Sequence, residues 1–275
     1  MKNLSAESDM EGDIKEKTPT SSVGDAIFTE LKLRDQMVYD SIITGNFSPI
    51  KRIPEQKDLE WYIELNKDWV IKTTPGFTDG STKARTIFLN YNVEVNGNGH
   101  KVCREYSNNN YPEVFFIGVG NGDYSEITLN NLIVDGTNKY MGADVSENTK
   151  LDLKNVQFIN GFTNQTHYGG AIIAREGCVI STDSKTVFKD CKANRGGAIR
   201  LLDNCSLTIN GSTFTNNQAD LGGAICTLKK NCTININGAT FDGNKAENTI
   251  DNKSLQGGAI YTRSPLNIAG EEIRR

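Results

Sequence analysis

The chain lacks most of the residues and sequence runs that common catalytic, membrane and nucleic-acid functions require. His100 and His167 are its only histidines, 67 positions apart, and we expect no shared catalytic role for them. No segment reaches the roughly 18 consecutive apolar residues that a membrane-spanning helix needs. The chain has 30 basic and 34 acidic side chains, which gives a formal net charge of -4, and it has no basic stripe. We therefore predict no transmembrane segment and no nucleic-acid binding.

Proline and helical patterns are also scarce. The chain has 6 prolines against 26 glycines, a balance that suits tight corners between short strands better than disorder. The second half of the chain offers no segment of about ten residues with helical spacing of apolar side chains, so it contains no crossover helix.

The 6 cysteines lack the close C-x-x-C spacing of a zinc site, and we predict no metal and no cofactor. Cys178, Cys205 and Cys232 are spaced by 27 and 27 residues. If consecutive repeats stack, these residues lie near the range that a disulfide bridges, but three thiols cannot all pair among themselves. Two interpretations stay open, a cross-linked pair and a stack of small buried thiols.

The tetrapeptide Gly-Gly-Ala-Ile occurs four times in the second half of the chain. Its first glycine recurs after 27, 26 and 35 residues. Self-similarity with a period of roughly 20 to 50 residues is typical of stacked-repeat architectures. The glycines concerned are Gly169, Gly170, Gly196, Gly197, Gly222, Gly223, Gly257 and Gly258.

A second marker runs in step with the first. Two phenylalanines open the pattern F-x-x-N, which ends in Asn217 and in Asn244. Equivalent side chains of successive repeats are expected to form ladders about 4.8 Å apart, the usual distance between paired strands. The phenylalanines are Phe158, Phe188, Phe214 and Phe241, spaced by 30, 26 and 27 residues.

One repeat consists of three short strands and three corners. Leu207 and Ile209 alternate with polar residues, which is typical of a strand with one buried face. Asn210 and Gly211 then favour a bend. A second strand carries Phe214, and the Gly-Gly pair leads into a third strand that holds Ile225. Each strand must pair with its counterpart one coil away, so we predict an all-β, parallel β-helix.

The chain divides into three predicted parts. Residues 1–21 are charged and rich in Ser and Thr, so we predict disorder, and they lack the apolar core of a signal peptide. Residues 22–56 carry apolar side chains near helical spacing, which favours a helical or irregular cap over the first coil. Residues 57–275 are the predicted β-helix domain.

The paired motifs resemble the polymorphic membrane protein repeats of chlamydiae and the adhesin-like β-helix proteins of methanogenic archaea. The clearest example is Gly222 to Ile225 with Phe214 and Asn217. Residues 93–100, V-E-V-N-G-N-G-H, are also similar to a sequence motif found at the start of many such β-helices. The resemblance implies a right-handed, pectate-lyase-like β-helix, extracellular or at the cell surface, that adheres to glycans or to proteins of host or neighbouring cells.

The motifs themselves are expected to build the scaffold, because glycine forms corners while Ile and Phe fill the core. Contacts with a partner are then expected from exposed polar and aromatic side chains beside the motifs. Aromatic rings stack on sugar faces, and Arg donates paired hydrogen bonds to carboxylates. The candidate binding residues are Tyr168, Arg195, Arg200, Asn217, Asn244 and Tyr261.

Two other functions are left open, although we assign no catalytic residue. Parallel β-helices also host polysaccharide lyases and glycoside hydrolases, which need clustered carboxylates. A structural spacer module is the second alternative. The side chains that an enzyme would have to bring together are Asp183, Asp190, Arg200, Asp203 and Asp220.

Overall fold

The computed structural model describes ten stretches of the chain, and its regular elements there are all strands. The helical cap predicted for 22–56 lies outside them, as do 1–11 and 17–21 of the segment predicted to be disordered. The described residues are 12–16, 60–65, 68–72, 87–89, 92–105, 117–119, 124–164, 168–247, 255–270 and 272–274.

The strands form three sheets. The largest has 15 strands. Its main path contains β1 (Gly12–Glu16), β2 (Glu60–Leu65), β5 (Asn92–Asn96), β8 (Ser125–Asp135), β10 (Thr149–Ile159), β12 (Val179–Thr182), β15 (Ser206–Asn210), β19 (Thr233–Asn237) and β23 (Leu266–Ala269). Beside this path lie β3 (Trp69–Lys72), β6 (Lys101–Glu105), β13 (Val187–Lys189), β16 (Thr213–Thr215), β20 (Thr240–Asp242) and β24 (Glu272–Arg274).

The second sheet has seven strands and the third has two. The seven-stranded sheet consists of β4 (Ile87–Leu89), β7 (Ile117–Val119), β9 (Ala143–Val145), β11 (Ile172–Ala174), β14 (Ile199–Leu201), β18 (Ile225–Thr227) and β22 (Ile260–Thr262). The two-stranded sheet pairs β17 (Gln218–Ala219) with β21 (Lys245–Ala246).

Each strand pairs in parallel with the equivalent strand of the next coil. In one coil, for example, β12 pairs with β15, β13 with β16 and β14 with β18. Consecutive strands of the chain therefore belong to different sheets or different parts of a sheet, joined by corners. This arrangement is a parallel β-solenoid, and the predicted parallel β-helix is confirmed.

One strand departs from this pattern at the N-terminal end. The structure places β1 at Gly12–Glu16, where the sequence predicted disorder, and pairs it antiparallel with β2. The free edge of the first coil presents unpaired backbone N–H and C=O groups, and β1 satisfies them. Local composition carries no sign of such a long-range pairing.

The four phenylalanines form a single column in the core. Adjacent ring centroids from Phe158 through Phe188 and Phe214 to Phe241 are 5.4, 4.8 and 4.9 Å apart, with interplanar angles of 2°, 9° and 10°. Val134 precedes Phe158 in register. All five side chains are buried. The ladder of equivalent apolar side chains predicted from the spacing is therefore present.

The Gly-Gly pairs are required by close backbone contacts between coils. The first glycine adopts a left-handed conformation in three of the pairs, at Gly196, Gly222 and Gly257, and φ is 64° at Gly222. The second lies against the next coil: a Cβ added to Gly197 would come within 2.2 Å of the carbonyl oxygen of Gly223. Any larger residue at this position would push two coils apart.

The six cysteines are buried and form no disulfide, so the structure shows a stack of thiols in place of a cross-linked pair. Cys178, Cys205 and Cys232 precede equivalent positions of β12, β15 and β19. Their Sγ atoms donate to backbone carbonyls of the preceding coil at 2.8 to 2.9 Å. The hydrogen bond with Cys178, together with burial, raises the pKa of the Cys205 thiol to about 12.

The glycine contacts predict opposite outcomes for two equivalent substitutions. At Gly258 the nearest atom to an added Cβ is the Asn244 oxygen at 3.8 Å, an ordinary contact, against 2.2 Å at Gly197. We expect Gly197→Ala to lower the free energy of unfolding by about 3 kcal/mol or more, and Gly258→Ala by less than about 1 kcal/mol. Urea unfolding followed by circular dichroism measures both. Equal losses would contradict the packing described.

The stack of thiols predicts a loss of stability at alkaline pH. The pKa of Cys205 is about 12 in the folded chain against an ordinary value of 9.0, so the folded state holds this proton more tightly. Its contribution is fully present below about pH 9 and is lost as the pH rises from there toward 12. We expect Cys205→Ser to flatten the fall in unfolding free energy between about pH 8.5 and 10.5. Identical slopes for both proteins would show that Cys205 titrates normally.

Candidate functional site

Two of the predicted binding residues share one position on the outside of the seven-stranded sheet. The middle residues of β9, β11, β14, β18 and β22 are in register, and we call them the outer column. Their neighbours along each strand, such as Ile199 and Leu201, fill the core, so the middle side chains point the other way. The outer column consists of Asp144, Ile173, Arg200, Cys226 and Tyr261.

The outer column is covered, although it faces away from the core. Arg200 is only 2% exposed, and its neighbours Ile173 and Cys226 are also buried, while Tyr261 is half-buried. The expectation that Arg200 is exposed is therefore wrong. A Cβ built on Gly169 would lie 2.8 Å from the Arg200 backbone nitrogen, so the Gly-Gly corner of the preceding coil packs directly against this strand.

The guanidinium of Arg200 has no acidic partner among the described residues. Its Nη1 donates to the backbone oxygen of Cys226 at 3.2 Å and to Cys226 Sγ at 3.4 Å. Its Nε is buried without a hydrogen-bond partner. Burial lowers the pKa of this guanidinium. The outer column thus contains a buried positive charge that the neighbouring side chains do not neutralise.

Arg175, on the same side of the coil, differs from Arg200 because it is paired with a carboxylate. Its Nε and Nη2 donate to the two carboxylate oxygens of Asp144 at 2.8 and 2.7 Å. This bidentate pair, with a further hydrogen bond that Arg175 donates to Tyr168, raises the pKa of Arg175. Tyr168 is half-buried beside it. One guanidinium of this region is therefore fully paired and the other is not.

Two more arginines lie near Cys226. Burial raises the pKa of its thiol, whereas the positive charges of Arg200, Arg195 and Arg263 each lower it. Arg195 is half-buried, and Arg263, directly after β22, is exposed. Sequence reasoning missed Arg263, and its position two residues after Tyr261 was the available signal. We call Tyr168, Arg195, Arg200, Tyr261 and Arg263 the arginine face.

The asparagines of the F-x-x-N motif serve the scaffold. Asn217 is 0% exposed, accepts a hydrogen bond from the backbone N–H of Cys191 at 3.0 Å and donates to the oxygen of Phe188 at 3.0 Å. Asn244 repeats this one coil later, since it donates to Phe214 O at 2.8 Å and accepts from Asn217 N at 3.0 Å. The expectation that Asn217 is exposed is wrong, and Asn244 is half-buried.

Cys191 occupies the asparagine position of its own coil, three residues after Phe188. Its Sγ lies 3.7 Å from the backbone oxygen of Phe158, the equivalent of the acceptor that Asn217 uses. The thiol is fully buried. A weaker donor therefore takes the place of the amide where the motif is incomplete.

The acidic residues that an enzyme would need are distributed over different corners. Asp183, Asp190, Asp203 and Asp220 follow β12, β13, β14 and β17 in turn. Their contacts are local: Asp203 pairs with Lys229 at 2.6 Å and Asp220 accepts from Asn194 at 2.5 Å. Within the part of the chain that the structure describes, no group of three or more His, Cys, Asp or Glu side chains suits a metal ion.

A charged cluster formed by Lys150, Glu126 and Asp152 was not identified from the sequence. Lys150 Nζ lies 3.4 Å from a carboxylate oxygen of Glu126 and 3.6 Å from one of Asp152, on the outside of the 15-stranded sheet. The charge of Asp152 raises the pKa of Lys150, so this lysine is held protonated and is unsuited to act as a base.

Residues 211–228 and 231–263 match the Chlamydia polymorphic membrane protein (Chlamydia_PMP) repeat. These two segments are thus similar to the chlamydial repeat. The two matched segments include Asn217 and Cys226 and end at Arg263, so part of the arginine face lies in them and Arg195 and Arg200 lie one coil earlier. Neither the curated proteins nor the solved structures give a match.

No described segment forms a helix long and apolar enough to cross a membrane.

The asparagine ladder predicts a specific stability effect. Asn217→Ala leaves the Cys191 N–H and the Phe188 carbonyl unpaired in the core, at about 1–3 kcal/mol for each group. We expect the free energy of unfolding to fall by at least about 2 kcal/mol in urea titrations. Asn237→Ala is the matched control, because Asn237 is exposed and should change stability by less than about 0.5 kcal/mol. Similar losses in both variants would refute the structural role of Asn217.

Proposed function

We propose that the chain is an adhesin-like surface repeat protein, extracellular or exposed on a cell, that binds glycans or proteins of a neighbouring or host cell without catalysis. The observation that carries the proposal is the arginine face. It places two tyrosines and three arginines on one side of a solenoid whose repeats match those of a surface protein family.

The solenoid suits this role because it presents side chains at fixed intervals on a rigid surface. Tyr261 is in register with Cys226 and is half-buried, so its ring is held by packing while part of it stays accessible. Arg263 is exposed beside it. A fixed aromatic ring next to a guanidinium combines stacking on a sugar with hydrogen bonds to its polar groups.

Of the six binding candidates from the sequence, four keep a place in the proposal. Tyr168, Arg195, Tyr261 and Asn244 are half-buried and retain solvent contact, although the Asn244 amide also bonds within the ladder. Asn217 does not contact solvent and is assigned to the scaffold. Arg200 is almost fully buried, so its role differs from that of the four accessible residues.

The proposal predicts that binding depends on the arginine face. We expect the double variant Tyr261→Ala and Arg263→Ala to lose at least about tenfold in affinity for cells and for glycans on an array. Tyr124→Ala with Lys189→Ala is the matched control. Tyr124 is 55% exposed directly before β8, and Lys189 is exposed at the end of β13. Both strands belong to the 15-stranded sheet.

The outcomes separate the candidate functions. Equal loss in both double variants, or no binding by the wild-type chain, would contradict the proposal. Release of unsaturated or reducing sugar ends from uronate polymers by the wild-type chain would favour a polysaccharide-active enzyme instead.

A further inference from the structure

Arg200 carries a positive charge in a place where proteins rarely leave one uncompensated. Its side chain is 2% exposed, its Nη1 bonds only to Cys226, and its Nε has no partner. Burying an ionised group is strongly unfavourable unless a counter-charge or a complete set of hydrogen bonds accompanies it. Arg175 meets this condition through Asp144, and Arg200 does not.

Among the described residues, the surroundings of Arg200 add positive charge, and no carboxylate contacts its guanidinium. The nearby Arg195 lowers the pKa of Arg200 further. The closest ionisable group of the opposite sign is the thiol of Cys226, but burial raises its pKa above the ordinary value. The thiol therefore stays protonated at neutral pH and does not neutralise the guanidinium.

Three carboxylates of this and the neighbouring coils are already engaged. Asp144 binds Arg175, Asp203 binds Lys229 at 2.6 Å, and Asp220 accepts a hydrogen bond from Asn194. None of these contacts involves Arg200. The missing counter-charge is thus best supplied from outside the chain, by a ligand with an oxyanion.

We propose that Arg200, Arg195 and Arg263 form an oxyanion site that takes the carboxylate or sulfate group of an acidic glycan. This inference rests on the proposed binding function and specifies its ligand class. Arg200 forms the floor of the site, and the anion lies on the side of Arg195 and Arg263, whose side chains keep contact with solvent. The half-buried rings of Tyr168 and Tyr261 favour a sugar as the bearer of the charge.

Titration calorimetry of the full chain tests the ligand class directly. The probes are hyaluronate fragments, which carry carboxylates, heparin fragments, which also carry sulfates, and neutral dextran fragments of similar length. We expect binding of at least one acidic probe, weakened as salt is raised, and no binding of dextran. Binding of dextran as tight as that of the acidic probes would overturn the site.

The Arg200→Met variant tests whether Arg200 binds the anion. Its affinity and its melting temperature are measured together, because a purely structural arginine would not change both in the way expected here. We expect the variant to lose at least about tenfold in affinity for the acidic probe. Without ligand it should melt a few degrees higher than the wild type, because an uncompensated buried charge has been replaced by an apolar side chain. A lower melting temperature with unchanged affinity would overturn the assignment.

Arg175→Met is the matched control. Its charge is neutralised within the chain, so its removal leaves Asp144 unpaired and should lower the melting temperature without changing affinity for the probe. Because the wild-type chain is also tested on cells, the two proposals fail differently. Cell binding that is insensitive to acidic probes overturns the oxyanion site alone, whereas absence of all binding overturns both.

Discussion

The stacking of identical side chains from successive coils is the interaction on which the rest of the structure depends. Phe158, Phe188, Phe214 and Phe241 lie nearly parallel at 4.8 to 5.4 Å, which fixes both the rise and the register of the coil. A fixed register then dictates the other columns. It leaves no room for a side chain at Gly170, Gly197 and Gly223, and it brings each F-x-x-N asparagine against the backbone of the preceding coil.

The parts of this fold that repeat were predictable, and the parts that do not repeat were not. Phe, Gly and Ile recur with the coil, so their spacing alone indicates columns. The cover over Arg200 depends on how one corner packs on the next coil, which the alternation of apolar and polar residues does not encode. The same holds for β1, whose pairing with a strand more than forty residues away has no local signature.

The errors at Arg200 and Asn217 have a common physical origin. Both are polar residues beside a motif, and polarity was taken to indicate solvent contact. In a solenoid, however, every coil buries backbone groups at its corners, and a polar side chain there is needed to satisfy them. Asn217 does this completely. Arg200 does it only in part, and its incompletely bonded guanidinium is the basis of the oxyanion site that we propose.

A crystal structure of the full chain tests the stacking most directly. We predict that the rings of Phe158, Phe188, Phe214 and Phe241 form one column, with adjacent centroids about 5 Å apart and ring planes within about 10° of parallel. A structure in which any of the four rings lies outside that column, or in which equivalent strands pair in another register, would contradict it and remove the basis for the arginine face.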